Sequence, residues 1–514
     1  MHGEVERLSL WVTVRLGLEV TLAVLLVAGL PVYVAFRGGR RSGSGVTLLL
    51  AAGLGLLVPT IARSLAFSAL FSYYGPLASV ARAIGVWPKD QPLESSHAAV
   101  LIALVTLYLP YGVFILAQGV MDLGRAPEIA ATLGASPLKR TWRVVFPGLS
   151  RPLIAASLVV FSQVLGVIVT PRILGSKDVT LAVLIDDFLK RDLNTAAALR
   201  LAGAELLLAV PIALVAASFF DVHGLRRLVG SRRHGRSFTT FALASAPALV
   251  ILLPQLTLVA LSLVREPVLS LSAFASQGPS LHWFREVIGD PGWRAIVGPS
   301  LLVWGTASGL AIGGALLTSL AVGRRPAARA VARTTALTVL FIPQNALGVV
   351  LFVALGELPQ SLTAHVPGWA LGGFGQAIPG VALAFLLIDG VMQRVRGSAR
   401  VAESLGASRP KAFRRVVLPQ LFPTLAGCAV ATALISLDDI IFVRYLPRIG
   451  VNTFATELFA RARFTASPDM AAACVLLWAC VLGLLGVGAL FRRGWRPGLR
   501  TLRAHLAVAG GRHQ

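Results

Sequence analysis

The chain has 514 residues, of which 56% are hydrophobic and 14% are charged. This composition is too apolar and too poor in charge for a soluble globular protein, which is therefore excluded. A formal net charge of +24 would indicate a nucleic-acid partner in a soluble protein, so the placement of the basic residues has to decide. The apolar residues form blocks of about 20, which is the length that crosses a bilayer as a helix. We predict an all-α polytopic membrane protein.

Apolar blocks bounded by arginine clusters and by Gly or Pro predict about eleven transmembrane helices, five in the first half of the chain and six in the second. Pro59, Pro110 and Pro343 lie within or near these blocks and indicate packed kinks. The predicted spans cover residues 10–36, 46–71, 98–119, 151–171, 199–220, 238–264, 299–322, 334–356, 371–391, 420–442 and 470–490.

Basic residues cluster on alternate connections between these spans, which places those connections in the cytoplasm. The segment 357–371, on the opposite side, contains no Lys or Arg. The bilayer therefore accounts for the positive charge, and we expect no nucleic-acid partner. The clusters are Arg37, Arg40 and Arg41, then residues 125–151, 226–236, 324–333 and 394–415, and finally the tail from Arg492.

No cofactor or metal site is predicted in this chain. Cys428, Cys474 and Cys480 lie in apolar segments without metal-ligand spacing, and the eight histidines form no HExxH pattern. The dipeptide Gly-Lys never occurs, so a P-loop cannot be written. We expect no enzymatic step in this chain, and any ATP must be hydrolysed by a partner.

Two of the basic connections repeat each other: the segment 128–149, EIAATLGASPLKRTWRVVFPGL, aligns without a gap over the segment 400–421, RVAESLGASRPKAFRRVVLPQL. Gly134 and Gly406 stand at equivalent positions, as do Pro147 and Pro419. Both copies have the same predicted orientation, which indicates a tandem duplication with a pseudo-twofold axis along the membrane normal and a path between two lobes. We divide the chain into a first lobe, 1–222, with a loop near 125–148; a basic linker, 223–237; a second lobe, 238–491, with a loop near 397–420; and a basic cytoplasmic tail, 492–514.

The two loops resemble the EAA loop of ABC importer permeases of the type I, MetI-like fold, in which EAA is followed by three residues and a glycine. In that family the loop is the coupling helix that docks into a cleft of the ATPase subunit. Arg400 stands where the first loop has Glu128, and the proline after LGAS moves from 137 to 410, so we expect unequal docking. The coupling residues implied are Glu128, Ala130, Ala131, Gly134, Ala135, Ala402, Glu403, Gly406 and Ala407.

The resemblance implies a multi-pass permease of the bacterial inner membrane whose partners are a dimer of cytoplasmic ATPase subunits, an extracytoplasmic solute-binding protein and the bilayer. Fused permeases of this kind have six spans per half, so either the first span is missing here or the start is placed late. A secondary active transporter with two parallel repeats is the alternative, and a channel or scaffold is a third. A secondary transporter needs coupling-ion residues in its spans, and few are present.

Asp438 and Asp439 lie at the outer end of a predicted span, where acids commonly face a path or a partner. A helix cap or a salt bridge with Arg444 is the competing interpretation. This segment resembles the SLDD region of spermidine and putrescine permeases, and the segment containing Asp186 and Asp187 resembles their corresponding connection. Ferric-iron, thiamine and phosphonate permeases are related. We therefore predict that these four acids contact a small, cationic or amine-bearing solute.

Two further charged residues lie in predicted spans, and neither is assigned a function. Arg63 is expected to pair with a neighbouring helix or to snorkel, and Asp389 to lie at the cytoplasmic interface.

Overall fold

A computed structural model describes residues 2–37, 43–88, 91–175, 179–220, 238–265, 278–323, 325–359, 361, 365–446, 451–462, 466–483 and 485–486. Within these ranges the regular structure is helical, which confirms the all-α class. The predicted linker 223–237, the tail 492–514, Arg40 and Arg41 lie outside the described residues.

In the first half, up to residue 222, the helices are α1 His2–Phe36, α2 Gly43–Leu56, α3 Thr60–Phe71, α4 Pro76–Ala83, α5 His97–Leu123, α6 Ala126–Thr132, α7 Pro137–Arg140, α8 Phe146–Leu165, α9 Val169–Ile173, α10 Leu181–Lys190 and α11 Thr195–Phe219. A short π-helical segment, Thr141–Val145, joins α7 to α8.

In the second half, from residue 238, they are α12 Phe238–Leu263, α13 His282–Gly289, α14 Pro291–Ala295, α15 Val297–Val322, α16 Pro326–Phe341, α17 Gln344–Gly356, α18 Gly368–Ser404, α19 Arg409–Ala412, α20 Leu418–Asp438, α21 Ile441–Tyr445, α22 Phe454–Ala462 and α23 Pro468–Gly483. A second π-helical segment, Phe413–Val417, joins α19 to α20.

The described helices match the predicted apolar blocks. Eight are long and apolar enough to cross a membrane singly, and two further spans are helix pairs bent by more than 40°. The last predicted block corresponds to α23, a shorter apolar helix. The polytopic character expected from composition is thereby confirmed.

Both bent pairs turn at a proline. The α2–α3 pair bends by 101° before Thr60, and the α16–α17 pair bends by 99° before Gln344, with Pro59 and Pro343 as the N-caps of the second helices. Proline lacks an N–H and drives the preceding residue out of the helical region, so a helix breaks there. Pro110, in contrast, lies inside the continuous helix α5.

After each loop, the order of the helices recurs at the spacing of the sequence repeat. Each element that follows the first loop has a counterpart after the second, and it begins within a residue of the position that extending the loop alignment gives. The pairs are α7 with α19, the two π-helical segments, α8 with α20, α9 with α21, α10 with α22 and α11 with α23.

Packing crosses between the halves. Helix α12, the first described helix of the second half, packs against α1, α2 and α3, and α11 of the first half packs against α16 and α17. One apolar cluster accordingly joins first-half residues such as Leu104 to Ile251 and Phe341. The two halves are therefore interleaved.

A glycine on α5 tests how tightly the spans pack. A Cβ at Gly119 would overlap the ring of Pro152 on α8. We expect Gly119→Ala to lower the stability of the detergent-solubilised protein by about 1–3 kcal/mol, because overpacking forces the two helices apart. Thermal unfolding followed by intrinsic fluorescence measures this. Gly203→Ala on α11 is the control, since a Cβ there meets no atom within 4 Å, and an equal loss in both variants would contradict the packing argument.

Candidate functional site

The two loops fold alike at the residues they share. Gly134 and Gly406 have φ of +82° and +89°, the left-handed conformation that glycine adopts most readily. The N–H of Ala135 donates to the carbonyl of Ala130 at 3.0 Å, and Ala407 donates to Ala402 at the same distance. This is the glycine-terminated helix end in which late amides satisfy orphan carbonyls. The Leu-Gly-Ala-Ser repeat thus encodes one turn, used twice.

The implied coupling residues of both loops are all exposed or half-buried. Beside them stand apolar side chains at equivalent positions: Leu133 is 82% exposed and Leu405 73%, while Ile129 is 56% and Val401 49% exposed. Apolar side chains repeated on a surface outside the spanning helices are typical of a docking site. Each loop therefore presents a small-residue surface flanked by exposed aliphatic groups.

The loops differ in how they join the preceding span. In the first half, α5 ends at Leu123, and Gly124 with φ of +58° separates it from α6. In the second half the corresponding residues belong to one continuous helix, α18. Glu128 pairs with Arg125 at 3.2 Å, whereas its counterpart is Arg400. The first loop is thus preceded by a glycine turn, whereas the second loop continues directly from an unbroken helix.

Asp438, at the end of α20, binds Thr60, the residue at which the first bent span resumes after its break. It accepts hydrogen bonds from the backbone N–H of Thr60 and from the Thr60 hydroxyl, the latter at 2.9 Å. Arg63, one turn further along α3, is 6% exposed, donates to the Leu107 carbonyl at 3.3 Å and interacts electrostatically with Asp438. Arg63 therefore pairs with neighbouring helices, one of the two outcomes expected from the sequence.

The second bent span is bound from the opposite half by Ser162, Gln163 and Glu205. The Ser162 hydroxyl, near the end of α8, donates to the carbonyl of Phe341, and the Gln163 amide donates to that of Leu340 at 2.9 Å. Beside the break, the Asn345 amide donates to Glu205 at 2.8 Å, and Glu205 is 1% exposed. Each half therefore supplies partners to the broken span of the other.

Asp439 acts as a cap, which is the competing interpretation weighed from the sequence. Its carboxylate accepts from the N–H groups of Ile441 and Phe442, at 2.9 and 3.2 Å, and from the Gln376 amide at 2.9 Å. These bonds fix the start of α21 against α18. Its predicted contact with solute stays a prediction.

Asp186 and Asp187 meet arginines at the outer ends of both halves. Arg172 on α9 pairs with Asp187 and, at 3.4 Å, with Asp186. Arg444 on α21 pairs with Asp186 at 3.2 Å, and the Tyr445 hydroxyl donates to the same carboxylate at 3.0 Å. The salt bridge of Arg444 is therefore made with Asp186, and the sequence interpretation that gave it to Asp438 or Asp439 is wrong.

Lys190, at the end of α10, lies within electrostatic reach of this cluster. Burial, and then repulsion by Arg444, lower the pKa of its ammonium group, while Asp186 raises it.

Asp389, which was expected at the cytoplasmic interface, is buried, and both of its arginine partners belong to the basic cluster 324–333; its depth in the membrane stays a prediction. It is 1% exposed on α18 and pairs with Arg329 at 3.4 Å and Arg333 at 3.3 Å, both on α16, while the Gln393 amide donates to it at 2.7 Å. A buried carboxylate requires such partners. The hydropathy of the span alone does not reveal them.

Sequence reasoning missed several polar contacts between the halves. Arg172 and Arg444 stand at equivalent positions of the repeat, so extending the alignment beyond the loops would have paired them. Glu205 is an acid inside an apolar span, which is itself a signal. Ser162 and Gln163 gave no comparable sign. Among the described residues no group of three or more His, Cys, Asp or Glu could hold a metal ion.

The amino-acid sequence is similar to that of a known protein family and of individual known proteins. The model of the family described as "Binding-protein-dependent transport system inner membrane component" matches residues 21–235. The molybdenum transport system permease protein ModB of Mycobacterium tuberculosis is 32% identical over 197 residues, which are 38% of this chain and 70% of that protein. ModB of Mycobacterium bovis matches with the same identity and coverage.

The Asp438 contact predicts a specific loss of stability. Thr60→Val removes one hydroxyl donor from the half-buried carboxylate of Asp438, so we expect the free energy of unfolding of the purified protein to fall by about 1–3 kcal/mol, measured by thermal unfolding. Thr47→Val is the matched control, because the Thr47 hydroxyl bonds the carbonyl of Gly43 within the exposed surface of α2. Similar melting of both variants would show that the contact contributes little.

Proposed function

Since this chain belongs to the family of binding-protein-dependent transport system inner membrane components, we propose that it is a fused, two-lobed permease of an ABC importer in the bacterial inner membrane. It carries both lobes of the translocation unit in one polypeptide, of which the first ends near residue 222 and the second near 491. Separate cytoplasmic ATPase subunits supply the energy, and an extracytoplasmic solute-binding protein delivers the solute.

The doubled loop is the observation that carries this proposal. Both copies place a glycine turn of the same conformation beside exposed aliphatic residues, Leu133 in one and Leu405 in the other. A pair of equivalent surfaces fits a pair of equivalent partners, as an ATPase dimer offers. A secondary active transporter with two parallel repeats explains the hydropathy and gives no reason for two such docking surfaces.

Transport by alternating access follows from how the loops connect to the contacts between the halves. Closure of the ATPase dimer would draw the loops together and turn the two lobes. Through α18 the second loop is joined to Gln376, which binds Asp439 next to α21. Turning the lobes therefore strains the crossed contacts at Thr60 and Phe341, the place where a path between lobes opens or closes.

Two classes of solute are considered. If the solute is a cation, it is attracted by four acids, Asp438, Asp439, Asp186 and Asp187. All four already accept bonds from protein groups, so each would have to exchange a partner for the solute. The relatives named for molybdenum transport favour a different class of solute.

Replacement of both loop glycines tests the coupling role. Gly134→Glu combined with Gly406→Glu places a strained, bulky residue in both turns, and we expect loss of co-purification with the ATPase subunit. Gly85→Glu is the matched control, because Gly85 also has positive φ, at +72°, and open space around it, yet lies far from the loops in sequence. An ATPase that stays bound to the double variant would remove the loops from the interface.

Asparagine at both positions 438 and 439 tests the cationic alternative. Amides retain the size and most hydrogen bonds but remove the charge, so uptake of a cationic solute should fall about tenfold or more while association with the ATPase is kept. The measurement is uptake into proteoliposomes containing the complete transporter. Unchanged uptake would take both acids out of the solute path.

A further inference from the structure

Arg172 and Arg444 occupy equivalent positions of the two repeats, on the short helices α9 and α21. Both guanidinium groups reach the one carboxylate of Asp186, at 3.4 and 3.2 Å. Two equivalent residues that reach the same side chain lie close to the pseudo-twofold axis that relates them, and a path between two lobes runs along that axis. The pair therefore lies where the proposed path meets its outer end.

The two arginines are more exposed than the carboxylate that they share. The side chains of Arg172 and Arg444 are 20% and 26% exposed, whereas that of Asp186 is 3% exposed. Asp187, which also pairs with Arg172, is 22% exposed. Lys190 adds a further cation nearby.

A cavity of about 280 Å³ adjoins Arg444, far above the 10–15 Å³ or so that one water requires. Arg444 supplies the charge among the residues that line it, and Asn452 and Thr456 supply polar groups. The remaining wall is apolar and includes Phe459, over whose ring the Arg444 guanidinium lies at 5.7 Å. On this largely apolar wall, Arg444, Asn452 and Thr456 provide hydrogen-bond donors for a small anion.

We propose that this cavity receives an oxyanion solute, with Arg444 as its ligand and Asp186 as the counter-ion that holds Arg444 when the solute is absent. A guanidinium offers a planar fork of donors that matches the oxygens of an oxyanion. Turning of the lobes separates α21 from α10 and releases Arg444 from Asp186 to the solute. This inference rests on the proposed importer function and specifies its solute class.

Binding of anions to the full-length chain in neutral-lipid nanodiscs tests the proposal. The probe is sodium molybdate, the oxyanion that molybdenum forms in neutral water, with sulfate, phosphate and putrescine compared at constant ionic strength. We expect an oxyanion to raise the melting temperature saturably, Arg444→Gln to weaken its binding about tenfold or more, and Arg444→Lys to weaken it less. Arg200→Gln is the control, since Arg200 is an exposed arginine paired with Glu6.

Asp186→Asn gives the sharpest result, because this variant should bind its solute more tightly if the solute is an oxyanion and more weakly if the solute is a cation. Removing the competing carboxylate should tighten oxyanion binding several-fold, with Asp187→Asn, which leaves Asp186 in place, having a smaller effect. Absence of binding by all three oxyanions, or weaker oxyanion binding in Asp186→Asn, would overturn the proposal. Putrescine binding that Asp186→Asn abolishes would overturn it in favour of the cationic solute. These results are independent of co-purification with the ATPase, so the importer function can hold while the solute class fails.

Discussion

Hydrocarbon offers no hydrogen bonds, so every backbone polar group within a bilayer needs a partner inside the protein. The breaks before Thr60 and Gln344 free such groups in the middle of two spans. At the first break Asp438 accepts from the Thr60 N–H, and at the second Ser162 and Gln163 donate to the carbonyls of Phe341 and Leu340. In both cases the partner belongs to the opposite half. Each broken span therefore takes some of its hydrogen bonds from the opposite half.

The two broken spans are bound by different chemical groups from the opposite half. One uses the carboxylate of Asp438 beside the buried Arg63, and the other uses neutral donors beside Glu205 and Asn345. Both contacts also contain a carboxyl group, Asp438 in the first and Glu205 in the second, and such a group is costly to leave without partners in a low-dielectric interior. The first has a buried arginine beside its carboxyl group and the second an asparagine, so the two contacts differ although the helices of the halves repeat.

Much of this fold could be predicted from the sequence because hydropathy and the positive-inside rule act locally. Each span and each glycine turn follows from a pattern confined to a single span or a single loop. The partners of the buried charges could not be predicted in this way, since Arg444 meets Asp186 across a separation of 258 residues. Asp389 shows the same limit, because its partner Arg333 lies on another helix, at a separation of 56 residues. The sharp bends at Pro59 and Pro343 were foreseen only as kinks, since their angle depends on packing from the other half.

Helix α18 runs without interruption for 37 residues, from Gly368 to Ser404. At 1.5 Å per residue it is roughly 55 Å long, almost twice the thickness of a hydrocarbon core. A tilt imposed at its loop end is carried along the helix toward Gln376, which holds Asp439, past Pro379, where one backbone hydrogen bond is missing. The first half interrupts its rod at Gly124, so part of any such tilt is absorbed at that joint. A movement of the two loops would thus be transmitted differently through the two halves.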